Sequence, residues 1–307
     1  MKAIEKRKVS KRQRKKGLIV LTFMIPGLLF YLIFHYAPMY GTLIAFQDFS
    51  PFRGFTQSPW VGFKHFEEFF NSIYFTRLLK NTFLLSFENI LFSFPMPIIF
   101  ALMMNEIKNS RLRSAIQSLS YFPNFISTVV LCGLIKNFLS PSTGIINAII
   151  EALGGSAIDF LSSPGWFRPV YIISGIWQGM GWGSIIYYAT LTSVDTSLYE
   201  AADIDGAGRF QKIFYISLPA LVPTIVTLLL VNLGNMMNIG FEKVMLLYNE
   251  ATYSTADIIS TYVYRSGLIG QQYSFAAAVG LFNSLIGICL IVIFNFLARR
   301  FTKTSLW

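Results

Sequence analysis

Six apolar stretches divide this chain, separated by polar and turn-forming sequence, over about 18–36, 82–104, 119–139, 170–191, 220–240 and 275–297. Each meets the ~20 residues that a helix needs to cross a bilayer. Two contain prolines: Pro95 and Pro97 in the second, and Pro123 near the start of the third, which also carries Lys136 near its end. Internal prolines are tolerated in membrane helices when neighbours satisfy the freed carbonyls. Between the first two stretches, Phe63, Phe66, Phe69 and Phe70 fall on one helical face, predicting a short helix in the membrane interface. The segment 140–168, rich in Gly and Pro, predicts turns around one short helix at about 145–153.

Charge orients these elements. With the N-terminus placed inside, 17 of the 25 Lys and Arg fall in inside segments, so the positive-inside rule puts both termini in the cytoplasm. Nine of them lie between Lys2 and Lys16, an anchor facing anionic lipid rather than a nucleic-acid arm, since no soluble domain follows. The apolar run from Leu18 continues to about Tyr36 without a small-residue cleavage site, so it is a retained span rather than a signal peptide. Composition agrees: 54% of residues are hydrophobic and 13% charged, with a mean hydropathy of +0.54. Cys132 and Cys289 both sit in apolar stretches and support no disulfide framework.

The loop between the fourth and fifth stretches carries mixed charge and helix-forming sequence. Glu200-Ala201-Ala202 is followed after three residues by Gly206, and after nine more by Ile216-Ser217-Leu218-Pro219. Ser197-Leu198-Tyr199-Glu200 has the form of a capping box. Gly206 suits a left-handed helix stop, and a second helix is expected from near Gly208 toward Pro219. Two short helices at an angle form a compact knob outside the membrane, on the cytoplasmic side by charge counting.

This spacing resembles the coupling loop of binding-protein-dependent ABC importer permeases, and the resemblance extends over nearly the whole chain. Val61-Gly62-Phe63-Lys64-His65-Phe66 and Thr143-Gly144-Ile145-Ile146-Asn147 are similar to outer-loop sequences of sugar permeases. Phe241-Glu242-Lys243-Val244, Asp257-Ile258-Ile259-Ser260-Thr261-Tyr262, Tyr273-Ser274-Phe275-Ala276 and the terminal Ser305-Leu306-Trp307 resemble the polysaccharide or oligosaccharide branch. Glu250-Ala251-Thr252 stands where general sugar permeases usually carry Gly-Gly-Pro, which also points to that branch.

The resemblance implies an all-α integral membrane protein with six transmembrane helices, both termini cytoplasmic and the type I ABC importer transmembrane-domain fold. Its parts would be a basic tail (1–17), a first helix and outer loop (18–76), a permease core (77–300) with coupling loop 193–219, and a short tail (301–307). It implies a non-catalytic subunit in a bacterial cell membrane. The expected partners are a second, similar permease, two ABC ATPase subunits and an extracytoplasmic binding protein. ATP and Mg would sit on the ATPases, and this chain would bind no cofactor. Glu200 is then expected to contact the ATPase, Ala201 and Ala202 to pack against its cleft, and Gly206 to set the bend, with Ile216, Leu218 and Pro219 completing the loop.

Depth counting at ~1.5 Å per residue brings Glu88, Gln178, Asn232 and Asn283 to one layer slightly outward of the midplane, with Asn235 just above it and Asn89 beside Glu88. Trp177, Trp182, Tyr187 and Tyr188 add flat surfaces for sugar rings. Each Asn or Gln reads either as a substrate contact or as an interhelical hydrogen bond. Glu88 reads either as a functional carboxylate or as half of a pair with Lys136. An ion-coupled carrier would carry more intramembrane charge. A membrane enzyme finds no support, because His35 and His65 have no metal-ligand spacing and no Gly-x-x-x-x-Gly-Lys-Ser/Thr phosphate loop occurs.

Overall fold

A computed structural model describes the backbone of residues 11–302 and the side chains of 21–300. The side chains of the basic run from Lys2 to Lys16, and residues from Lys303 onward, including Ser305-Leu306-Trp307, lie outside the described residues. Among those described there is no β-strand, only an isolated bridge between Gln47 and Trp60.

The first helix, α1 (Lys11–Tyr31), runs on through a π-helical turn at Leu32–Tyr36 and a 3₁₀ turn at Tyr40–Phe46. Every side chain from Leu21 to Tyr40 is exposed, so this apolar rod stands clear of the rest of the chain. The predicted interfacial helix is α2 (Lys64–Phe70). Its aromatic face is divided: Phe63 is exposed, whereas Phe69 is buried against Phe75, Phe275 and Phe282.

Next come α3 (Phe75–Ser93) and α4 (Pro95–Glu106). Phe94 between them keeps helical dihedrals, so Pro95 and Pro97 fall in the first turn of α4, where a missing N–H costs little. The third apolar stretch departs from expectation. It forms α5 (Ser110–Tyr121), a tight turn at Phe122–Phe125 and α6 (Thr128–Phe138), with 97° between the two arms. The reason is local: Pro123 has no N–H to continue the helix, Ile126 and Ser127 are extended, and Ser127 caps α6. Ile126 O, left free at this break, accepts from Gln178 Nε2 at 2.9 Å.

The expected short helix is α7 (Ile145–Ala152). Buried Asn147 ties its surroundings together, donating to Ser140 O and Ile158 O and accepting from Ile158 N–H. Then α8 (Pro164–Thr192) extends for 29 residues. It crosses α5 so closely at Gly181 that a Cβ there would overlap the Ser120 backbone. Of the small-residue row at 175, 179 and 183, only Gly183 and Gly175 meet neighbours, Pro97 and Lys243; Gly179 faces open space.

After α9 (Thr196–Ile204) and α10 (Arg209–Lys212), a π turn at Ile213–Ser217 leads into α11 (Leu218–Gly234). The predicted span to 240 stops short, at Gly234. Its broken end is held by Ser86 Oγ donating to Met236 O and Asn283 Nδ2 donating to Met237 O at 3.1 Å. The chain then folds through α12 (Phe241–Leu247) and α13 (Ile259–Tyr264) before α14 (Tyr273–Thr302). Four helical rods among the described residues are long and apolar enough to cross a membrane, or five if the bent pair counts as one span.

Two apolar cores occupy the thick end of the molecule. One joins Leu85, Leu131, Tyr171 and Val244, and the other Phe69, Leu78, Met237 and Val279. A third, with Ile98, Tyr187, Leu191 and Leu221, lies toward α9. Between the first two, Asp257 is fully buried and accepts from Arg265 at 2.8 Å, Arg77 at 3.3 Å and Thr261 Oγ1 at 3.0 Å. Removing one partner of a buried ion pair leaves uncompensated charge. Asp257→Ala is therefore expected to lower stability by about 3–5 kcal/mol, read as an early thermal unfolding transition in detergent.

Candidate functional site

The knob is built by helix-terminus chemistry. The cap of α9 is Asp195, not the predicted Ser197. Asp195 is extended, and its carboxylate accepts from Ser197 N–H at 3.0 Å. Hydrogen bonds from Ser197 hold the Asp195 carboxyl below the usual carboxylate range. The helix thus starts two residues earlier than a Ser197–Glu200 capping box requires, because a carboxylate is the stronger acceptor at a positive helix end. Glu200 is left exposed and makes no hydrogen bond or ion pair among the described residues.

At the far end Gly206 takes φ +74°, with Gly206 N–H donating to Asp203 O and Ala207 N–H to Ala202 O at 2.8 Å. This double bond pattern is a Schellman stop. The α10 side of the elbow is cross-braced by Lys212 to Asp203 at 2.5 Å and by Gly208 N–H to Gln211 Oε1 at 2.7 Å. Tyr199 OH meets buried Ser217 Oγ at 2.9 Å, fixing α9 to the root of α11. The π turn at Ile213–Ser217 carries Ile216 into Leu218 and Pro219, and Leu218 N–H still reaches Ile213 O. Ala201 is exposed and Ala202 half-buried. Sequence reading overlooked the knob's bare apolar tips. Ile204 is 88% exposed and Phe210 76%.

At mid-length, a cavity of about 580 Å³ opens between α3, α4, α8 and α11. Asn89, Ser93, Gly179, Trp182, Tyr187 and Asn232 are among its lining residues. Asn232 donates to Leu228 O of its own helix at 2.8 Å and stays exposed, and Asn89 Oδ1 accepts from Ser93. Carbohydrate hydroxyls match such amides, and the Trp182 indole, half exposed, offers a flat face.

The other members of the predicted polar layer lie elsewhere. Gln178 is committed to the break at Ile126, and Asn283 is buried against Met237 O. Asn235 bonds back to Val231 O. Trp177 lines a separate apolar cavity of about 540 Å³ with Leu131, Phe138 and Trp166. Glu88 does not pair with Lys136. Its partner is Arg168, at 3.1 Å, because the bend after Phe125 turns α6 aside while α3 and α8 lie side by side. Arg168 also donates to Asn81 Oδ1, and Asn81 Nδ2 reaches Asp257 O, so a polar thread joins α3, α8 and the segment before α13.

Residues 93–303 match the family model described as binding-protein-dependent transport system inner membrane component. Protein LplB of Bacillus subtilis (strain 168) is 45% identical over 96% of this chain and 92% of its own length. The polygalacturonan/rhamnogalacturonan transport system permease protein YteP of the same organism is 42% identical over 97% of this chain and 95% of its own. Among solved structures, a bacterial ABC transporter involved in the import of the acidic polysaccharide alginate has a chain that superposes with a TM-score of 0.88. It is 44% identical and covers 95% of this chain and 99% of that one. A second structure of a bacterial alginate ABC transporter, in complex with alginate pentasaccharide-bound periplasmic protein, gives 0.88 at 43% identity, over 96% of this chain and 99% of that one.

Replacing Gly206 with Ala forces a Cβ into a left-handed conformation at a cost of about 1–2 kcal/mol. Hydrogen exchange at Gly206 and Ala207 is expected to quicken, while exchange in α8 stays unchanged.

Proposed function

The chain belongs to the binding-protein-dependent transport system inner membrane components and is the non-catalytic permease of an ABC importer for oligosaccharides, and we propose that its knob is the ATPase-coupling element and its central cavity part of the sugar path. The observation that carries this reading is the knob: a braced pair of short helices with unpaired Glu200 and bare Ile204 and Phe210 at its surface. Glu200 offers charge to a basic ATPase surface, Ala201 and Ala202 allow close approach, and the Gly206 stop with Ile216, Leu218 and Pro219 fixes the angle of the elbow.

Six spans follow when α8 and the bent pair join the four apolar rods. Both termini and the knob then face the cytoplasm of a bacterial cell. Two ATPase subunits would hold ATP and Mg, a second permease would complete the path, and a binding protein would deliver cargo on the opposite face. Closure of the ATPases would pull the knob inward as a rigid body and open the cavity outward, and hydrolysis would reset it. Asn89, Trp182 and Asn232 are the side chains best placed to touch a passing saccharide. The cargoes named for the relatives, polygalacturonan/rhamnogalacturonan and alginate, support an acidic oligosaccharide here.

Purification from native membranes in mild detergent tests the coupling role. The wild-type chain is expected to bring an ABC ATPase, a second permease and a binding protein. Glu200→Arg is expected to lose the ATPase while keeping the second permease. An ATPase retained equally by Glu200→Arg would remove the knob from this role. Asn232→Ala is expected to slow uptake at normal expression, and unchanged uptake would make that amide purely structural.

A further inference from the structure

A second cavity, of about 430 Å³, runs along the first part of α14. Tyr273 and Asn283 both line it, and they lie about 15 Å apart along the helix at ~1.5 Å per residue. Phe241, Ser260 and Tyr264 line it too, with Ile44 from the end of the first rod. The Phe241 and Tyr264 rings meet at 5.4 Å, and Phe241 is 37% exposed. None of the residues lining this cavity is charged. In the orientation proposed above it occupies the outer end of α14, the face to which a binding protein delivers cargo.

One amide in this cavity is only half used. Asn283 is 7% exposed, and its Oδ1 is buried with no hydrogen-bond partner among the described residues. Its Nδ2 donates to Met237 O at 3.1 Å and to Asn238 Oδ1 at 3.4 Å. The amide cannot turn over, because Met237 O only accepts. Ser260 Oγ and Tyr264 OH also make no hydrogen bond among the described residues. Apolar and aromatic walls with a few convergent polar groups are the mark of a ligand site. A row of asparagines joins this cavity to the central one. Asn232 lines the central cavity, and Asn238 accepts from Asn283, which lines the second. Asn232, Asn235 and Asn238 follow at three-residue steps through the end of α11 and the 3₁₀ turn at Met236–Asn238, and all three are exposed. Such steps stay on neighbouring positions of an α-helix and eclipse in a 3₁₀ turn.

We propose that the cavity along α14 is a second saccharide subsite, and that an oligosaccharide spans it and the central cavity across the asparagine row. The inference rests on the sugar-path and acidic-cargo readings above. A pyranose ring has apolar C–H faces and a hydroxyl edge. The faces fit Phe241 and Tyr264, and a hydroxyl donates to Asn283 Oδ1 while others meet Ser260 Oγ and Tyr264 OH. An acyl chain fits the walls but leaves Asn283 Oδ1 bare, which is costly where water is excluded. With no charge in its walls, the subsite holds a sugar by its ring and hydroxyls, not by its carboxylate. It therefore favours cargo long enough to reach both cavities.

The test uses the whole importer, permease pair, ATPases and binding protein, reconstituted in proteoliposomes, with digalacturonate and tetragalacturonate as probes. Uptake is measured against the concentration of probe-loaded binding protein, which the permease variants leave untouched. Ser260→Ala combined with Tyr264→Phe is expected to raise the half-saturating concentration for tetragalacturonate about tenfold, the scale of two neutral hydrogen bonds. For digalacturonate, which the central cavity holds alone, the rise is expected to be smaller than about twofold. Asn232→Ala is expected to raise it for both lengths. Equal shifts for the two probes in the double variant, or no shift for tetragalacturonate, overturn the proposal. Labelling gives a second measurement. Ser260→Cys is expected to react with a water-borne maleimide, read by mass spectrometry at that position, and to be protected by tetragalacturonate-loaded binding protein but not by the digalacturonate-loaded form. A thiol that does not react means that lipid or a partner chain fills the cavity, and refutes the subsite. Should the double variant fail to assemble, the labelling decides alone. A wild-type importer that takes up neither probe removes the acidic-cargo reading and this inference with it, whereas one that takes up both, with equal shifts in the variant, removes this inference only.

Discussion

Backbone carbonyls and amides freed inside apolar surroundings must find partners, because nothing else nearby can hydrogen-bond them. Among the described residues this protein breaks its helices at three such places, and buried Asn81, Thr82, Ser86 and Asn283, together with Gln178, serve them. Gln178 answers Ile126 O at the bend before α6. Ser86 and Asn283 answer Met236 O and Met237 O past the end of α11. Asn81 reaches Ser254 O and Asp257 O, and Thr82 Oγ1 accepts from Ile259 N–H at 3.0 Å, at the break before α13. Lys243, almost fully buried, donates to Tyr171 O at 2.7 Å. The breaks let short segments fold back into the thick end of the molecule and build its two larger cores.

That commitment also shapes the cavity. Polar atoms that serve broken backbone are unavailable to a moving ligand, so the amides left over are the ones a proposed sugar path can use. Asn89 and Asn232 bond only within their own helices and face the open space. The ionic residues divide similarly. Asp257 is enclosed by Arg77, Arg265 and Thr261, whereas the Glu88–Arg168 pair remains partly accessible.

The knob follows a different economy. It lies in sequence that is polar and locally determined, so its stability comes from termini: an aspartate cap, a glycine stop, an ion pair across the elbow and a hydroxyl pair at the root. Its surface can therefore remain unsatisfied. Ile204 and Phe210 are exposed on it and Glu200 is unpaired, on the surface proposed to meet the ATPase. A rigid projection of this kind suits the coupling role proposed for it.

Local chemistry was readable from the chain alone. Apolar runs marked the four long apolar rods, Gly206 marked the left-handed stop, and the turn-rich stretch after Ser140 marked α7. These features depend on a residue and its near neighbours, which sequence displays directly. Even here the cap lies at Asp195, two residues before Ser197, since both can cap and it is Asp195 whose backbone is extended. Tertiary structure decided the rest. Depth counting grouped Gln178, Asn283, Asn232 and Glu88 in one layer, because it supplies height along a helix but not direction around it. Only the packed helices reveal that Gln178 turns to a broken backbone, that Asn283 bonds to Met237 O, that Trp177 faces another cavity, and that Glu88 meets Arg168 from a helix 80 residues away. The 97° bend after Phe125 is the physical reason for the last of these, for it removes α6 and Lys136 from the position a straight helix would have held.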